Sequence, residues 1–179
     1  MKSLNICVFC SASDLAEKYQ RPAKELARLI AARRHTLIWG GSDSGLMGVL
    51  AAGVLEGGGK IVGVSVEIFK EKAHKLASEM IVTKDLAERK TLMLSRCDAI
   101  VIMVGGVGTL DEATDIIAHR KIGQHDKPIV LLDTDNFYDG LKAQLRRMQD
   151  DGFIDRRLHE IVHFANTPQD ALNFIEKAV

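Results

Sequence analysis

Short, almost wholly apolar runs recur along the chain and alternate with longer amphipathic stretches. Leu4–Phe9, Thr36–Trp39, Ile61–Val66, Met80–Val82, Ala99–Met103, Pro128–Leu132 and Ile161–Phe164 read as strands. Asp14–Arg34 has apolar residues at helical spacing (Leu15, Ala23, Leu26, Ala27, Ile30), with Pro22 either a break or an early helix position. Further helices are expected over Ser44–Glu56, stopped by Gly57-Gly58-Gly59, and from Thr83 as a cap to about Arg96. Others should run from a glycine-rich turn to about Ile122, over Phe137–Asp150, and from Thr167-Pro168 to the end of the chain. Ile68–Ala77 keeps neither period and reads as a short helix or a loop. Strands that are apolar throughout belong to parallel sheets covered on both faces, and their alternation with helices predicts a doubly wound α/β fold. The chain is therefore expected to form a single Rossmann-like domain over residues 1–179, its mostly parallel sheet flanked by helices. Ligands on such sheets bind at the carboxyl ends of strands, near the point where strand order reverses. Three loops at such ends carry suitable chemistry: Cys10–Asp14, Gly40–Gly48 and Gly105–Glu112.

The third loop is the most informative. Val104-Gly105-Gly106-Val107-Gly108-Thr109-Leu110-Asp111-Glu112 joins an apolar strand to a helix that reads from Ala113 onward. Gly105, Gly106 and Gly108 permit positive φ and let backbone N–H groups approach an anion. Thr109 adds a hydroxyl, and the helix dipole favours negative charge there. Glu112 lies one turn further in, facing whatever the phosphate carries. This arrangement predicts a phosphorylated small-molecule ligand with an acid beside it. Gly40–Gly48 is either a second ligand loop or only a tight strand-to-helix turn. Neither loop fits the dinucleotide fingerprint or the Walker pattern.

Composition narrows the classes. With 179 residues, 46% hydrophobic and 27% charged, the chain has an ordinary globular make-up. A net charge of zero and an aromatic content of 5% disfavour nucleic acid as a partner. No apolar run reaches membrane-spanning length, and Met1–Cys7 lacks a signal-peptide pattern, so a cytoplasmic protein without membrane partners is expected. Cys7 and Cys10 form a C-x-x-C, but a strand sends residues three apart to opposite faces, and no second pair completes a zinc site. Buried structural cysteines are the expected outcome.

On the helix ending near Arg96, Arg89, Met93 and Arg96 share a face, while Leu86, Leu94 and Cys97 are expected to cover the buried side. Arg89 and Lys90 together offer a fork and a point charge for a phosphate or carboxylate; a solvated charged face is the commoner origin of such a pair. Glu112, Asp115 and His119 fall along one helical stripe, which can hold a metal but more often is a polar face, and no metal is assigned. Paired carboxylates beside a phosphate cradle suit chemistry at a sugar carbon, where cleavage of a glycosidic bond develops positive charge.

These motifs resemble the LOG ("Lonely guy") family, whose signature is Pro-Gly-Gly-x-Gly-Thr-x-x-Glu preceded by an Arg-Lys pair on the previous helix. Many of its members carry the label "lysine decarboxylase", an activity set aside here because no segment offers the setting of a Schiff-base lysine. The opening strand Ile6–Cys10, Gly45-Leu46-Met47-Gly48, Arg89-Lys90 with Met93, His125–Pro128 and Asp151–Ile154 extend the likeness over most of the chain.

The resemblance implies a Rossmann-like homodimer that hydrolyses the N-glycosidic bond of a nucleoside 5′-monophosphate, such as an N6-modified adenosine 5′-monophosphate, without any cofactor. It implies Arg89 and Glu112 as the catalytic pair. Lys90 and Gly105, Gly106, Val107, Gly108, Thr109, Leu110 and Asp111 would hold phosphate and ribose. Gly41, Ser42, Met93 and Asp115 complete the expected substrate-binding set. The helices at 84–96 and 109–122 are the expected dimer interface.

Four departures bear on specificity. Val104 replaces the family Pro, loosening the cradle entry without removing a donor; Ser42 replaces a Gly; His119 replaces a Trp; and a substrate-contacting Glu has only Glu71 as a nearby counterpart. The alternative reading is a non-catalytic protein of the same fold that binds or carries a nucleotide or the molybdenum cofactor.

Overall fold

The computed structural model describes residues 2–72 and 76–179. The apolar runs become seven strands: β1 (Asn5–Phe9), β2 (Thr36–Trp39), β3 (Lys60–Val66), β4 (Glu79–Thr83), β5 (Ala99–Ile102), β6 (Ile129–Leu132) and β7 (His163–Ala165). They form one sheet in the order β4-β3-β2-β1-β5-β6-β7, with every neighbouring pair parallel. The intervening helices are α1 (Glu17–Ala32), α2 (Gly45–Glu56), α3 (Leu86–Arg96), α4 (Val107–Lys121), α5 (Asp139–Asp150), α6 (Leu158–Ile161) and α7 (Pro168–Ala178). The doubly wound α/β fold expected from the pattern is thus present.

Because strand side chains alternate, each apolar run feeds two cores. Ile6, Val8 and Cys10 enter a layer with α1, α2 and α7, whereas Cys7, Phe9, Ile100 and Ile102 enter the opposite layer with α3, α4 and α5. The two cysteines of the C-x-x-C therefore lie on opposite faces, both buried and unbonded. Phe9 pairs with Ile102 and Val8 with Trp39, so β1, β2 and β5 end nearly level at their carboxyl edge. The chain winds outward from β1 to β4 and then returns to place β5 on β1's other side, which makes β1/β5 the switch point.

Local differences from the expected elements have identifiable causes. Thr83 ends β4 instead of capping α3; its buried hydroxyl donates to the Ser65 carbonyl at 3.0 Å. Asp85 is the cap: its carboxylate accepts from the Glu88 amide at 2.8 Å, and Glu88 reaches back to the Lys84 amide at 2.9 Å. Ile161 ends the short helix α6, and the last strand starts at His163. Helix α1 begins at Glu17 and runs through Pro22 without interruption. Within Ile68–Ala77, a 3-10 helix covers Glu67–Lys72, and residues 73–75 lie outside the described residues.

The buried side of α3 also departs from expectation. Cys97 is buried and Leu94 partly so, but Leu86 is 50% exposed while Arg89 and Met93 face the interior. Arg89 tolerates burial because two acceptors await its guanidinium, as described below. Asp85→Ala should lower the unfolding free energy by about 1 kcal/mol, the usual worth of an N-cap. That loss would be read as a lower urea midpoint at unchanged m-value; an unchanged midpoint would remove the capping role.

Candidate active site

At the switch point the loops after the central strands part and leave a cavity of about 520 Å³. All three loops singled out by their chemistry contribute to it. Cys10, Ser11 and Ser13 come from the first, Ser42 and Met47 from the second, and Gly106 to Thr109 with Asp111 and Glu112 from the third. A further wall has Ser65 and Val66 at the end of β3, Phe69 just beyond, and Leu86 at the start of α3. Sequence reasoning missed that wall. The end of β3 was foreseeable as a position beside β2, but its apolar side chains look like ordinary core.

The glycine-rich turn is shorter than its sequence suggests. Helix α4 already begins at Val107 with Gly106 as N-cap, and Leu110 is the first amide bonded within it, to the Gly106 carbonyl at 3.0 Å. The amides of Val107, Gly108 and Thr109 thus belong to the first turn, where a helix has no internal partner for them. None of Gly105, Gly106 and Gly108 adopts positive φ. At Gly105 the requirement is space. A Cβ on Gly105 would collide with Thr109, and a Cβ on Gly106 or Gly108 would meet nothing within 4 Å, leaving room for a ligand. Left-handed backbone occurs in the second loop, at Gly41 (φ 78°) and Gly45 (φ 57°), where a Cβ on Gly45 would strike the Ala12 backbone. Val104, the residue in place of proline, is buried and its carbonyl accepts from the Ser11 amide at 3.2 Å. Tyr138, not anticipated, donates its hydroxyl to the Met103 carbonyl at 2.6 Å and braces the same entry from behind.

At the base of the cradle Arg89 donates from Nη1 to Glu112 Oε1 at 2.5 Å and from Nε to the Val64 carbonyl at 2.9 Å. Both side chains are almost fully buried. Burial pushes the Glu112 carboxyl above its ordinary range, and the Arg89 charge and hydrogen bond only partly oppose this. Lys90 sits at the rim, its ammonium 3.1 Å from both Asp111 carboxylate oxygens and 3.1 Å from Asp115 Oδ1. Burial opposes its charge, but the hydrogen bonds to Asp111 and Asp115 outweigh it and hold its pKa above the usual lysine value. Desolvation, aided by the Glu112 charge, pushes the Cys10 thiol well up and so disfavours its thiolate.

The remaining predicted residues stand outside the cavity wall. Met93 is fully buried, Gly105 backs Thr109, Gly41 packs near Met80 and Ser65, Leu110 is half-exposed, and Asp115 acts on Lys90. Glu71 is exposed and does not line the cavity. Among the described residues no group of three or more His, Cys, Asp and Glu is placed to hold a metal ion, and Glu112 and Asp115 are engaged by Arg89 and Lys90. No described helix is long and apolar enough to cross a membrane.

Fold and site together define an α/β protein whose cavity holds the first turn of α4 and a buried guanidinium–carboxylate pair. The family model described as "Possible lysine decarboxylase" matches residues 47–175. The cytokinin riboside 5′-monophosphate phosphoribohydrolase of Mycobacterium tuberculosis is 38% identical over 169 residues, covering 93% of this chain and 90% of that one. A probable enzyme of the same name from Oryza sativa subsp. japonica is 34% identical over 175 residues, covering 96% and 72%. The chain belongs to this cytokinin riboside 5′-monophosphate phosphoribohydrolase (LOG) family. The fold is shared with the molybdenum cofactor binding protein from Rippkaea orientalis, at a TM-score of 0.77 and 22% identity over 99% of this chain and 98% of that one.

Two outcomes follow from the pair. Glu112→Ala leaves the Arg89 guanidinium buried without its carboxylate and should cost about 3 kcal/mol or more in urea denaturation. The raised Glu112 pKa means that the native state keeps its proton at a pH where the unfolded chain has lost it. Stability from this group is therefore greatest at low pH and falls as pH rises from the ordinary carboxylate range through the raised native value. Glu112→Gln should abolish that part of the slope; an unaltered slope would contradict the assignment.

Proposed function

We propose that this chain hydrolyses the N-glycosidic bond of adenosine 5′-monophosphates, including N6-modified ones, giving free base and ribose 5-phosphate. The observation that carries this reading is the Arg89–Glu112 pair set inside the cavity one turn beyond the free amides of α4. The phosphate would sit on the Val107, Gly108 and Thr109 amides at the positive end of α4, drawing Lys90 from Asp111. Binding so far from the reacting bond orients the sugar and lowers the entropic part of the barrier. Glu112 then faces the anomeric carbon, stabilises the oxocarbenium-like charge and directs water to it. As the C–N bond breaks, its electron pair leaves with the base, which takes up a proton, and water supplies the hydroxyl to the sugar. Arg89 fixes the carboxylate through its bonds to Glu112 and Val64. Ser11, Ser13, Ser42 and Ser65 offer hydroxyls to ribose and base, while Val66, Phe69 and Leu86 form an apolar wall suited to an N6 substituent.

In the same reading residues 1–179 act as one nucleotide-binding domain, without a cofactor, and as a homodimer. Exposed apolar side chains on α4, Val107 and Leu110, support that interface. The three free cysteines fit a reducing cytoplasmic setting.

The test is incubation with AMP and with N6-isopentenyladenosine 5′-monophosphate, followed by chromatography of free base and ribose 5-phosphate. Release by the wild type, and loss of release in Glu112→Gln with the nucleotide still bound, is the expected result. Undiminished turnover in Glu112→Gln would remove the catalytic role. Nucleotide bound but recovered intact by the wild type would favour a carrier instead.

A further inference from the structure

A second cavity, of about 310 Å³, opens between α5, α6 and β7. It lies at the far edge of the sheet, two strands beyond β5, and shares no lining residue with the active-site cavity. Lys142 and Arg146 line it from α5, four residues apart and hence neighbours on one helix face, where like charges repel. Among the described residues no carboxylate lines the cavity and neither cation has an ion-pair partner. The adjacent Arg147, by contrast, is bound to Asp151 at 2.5 Å.

The rest of the lining adds donors and an apolar floor. His159 and His163 are also among the lining residues. His163 is stacked on Phe174 with ring centroids 4.1 Å apart and planes within 6°, which fixes its ring. Its Nε2 is buried and makes no hydrogen bond; Asp170 Oδ2 stands 3.6 Å away. Gln149 spends its Oε1 on the Leu158 amide at 2.6 Å, so its NH₂ is the group left for a ligand. Leu158, Val162 and Phe164 are apolar, and Lys142 Nζ lies 5.1 Å from the Phe164 ring centroid.

Repelling cations, an uncommitted amide NH₂ and an aromatic ring around a cavity of ligand size ask for one kind of occupant. We propose that this cavity is a second anion site that takes a phosphate monoester, with the phosphate on Lys142 and Arg146 and an apolar organic group against Phe164 and Leu158. The site is independent of the hydrolytic cradle, so its occupant need not be the substrate.

The test uses phenyl phosphate and inorganic phosphate as probes and follows the imidazole C–H signals of His159 and His163 by NMR, assigned through His159→Gln and His163→Gln. Saturable shifts of both signals with phenyl phosphate are expected, with weaker affinity for inorganic phosphate. In the Lys142→Gln/Arg146→Gln double variant the affinity should fall about tenfold or more, with the far-ultraviolet spectrum unchanged. Absence of saturable shifts, or equal affinity in the double variant, would overturn the site. Equal affinities for the two probes would overturn the ester assignment.

Discussion

The buried contact between Arg89 and Glu112 constrains much of what surrounds it. An arginine on α3 and a glutamate on α4 meet only because β5 returns to lie beside β1, which brings the two helices onto one face of the sheet. Burying both charges is expensive, and the pair survives because its hydrogen bonds are placed in advance: one to the carboxylate, one to the Val64 carbonyl. Neighbouring residues make room for it. A Cβ on Gly40 would run into the Arg89 guanidinium, so the first glycine of the second loop is required by the pair and not by the turn. Burial raises the Glu112 pKa inside a cavity, a combination that is enriched at functional sites.

In the proposed reading, phosphate recognition and chemistry are divided between different kinds of group. Two cations, Arg89 and Lys90, face three carboxylates, Asp111, Glu112 and Asp115, so side-chain charge alone does not attract an anion. In that reading attraction falls to the first-turn amides of α4, which add no titratable group. That division fits a chain whose net charge is zero. It would also leave Glu112 free of the phosphate, one turn away, as the proposed action on the sugar requires.

The strands, their parallel pairing and the glycine-rich turn were legible in the sequence because each rests on a local pattern: an apolar run, its spacing from the next, a cluster of glycines. What escaped depended on partners far along the chain. Arg89 looks like half of a solvated charged pair until Val64 and Glu112 are known to await it, and Leu86 looks like core until the cavity opens beside it. Thr83 and Asp85 are both acceptable caps; the Ser65 carbonyl, eighteen residues away, decides between them. Tyr138 braces Met103 from thirty-five residues downstream with no local signal at all. Of the two roles expected of the glycines, positive φ is absent, while Gly105 gives clearance to Thr109 and Gly106 and Gly108 border open space.

The most direct measurement is a crystal structure of the Glu112→Gln variant with bound AMP. The phosphate should lie on the Val107, Gly108 and Thr109 amides, with the anomeric carbon in contact with the side chain at position 112 and the base against Val66, Phe69 and Leu86. A nucleotide whose phosphate lies away from the start of α4, or whose anomeric carbon is out of reach of position 112, would contradict the role given to the Arg89–Glu112 pair.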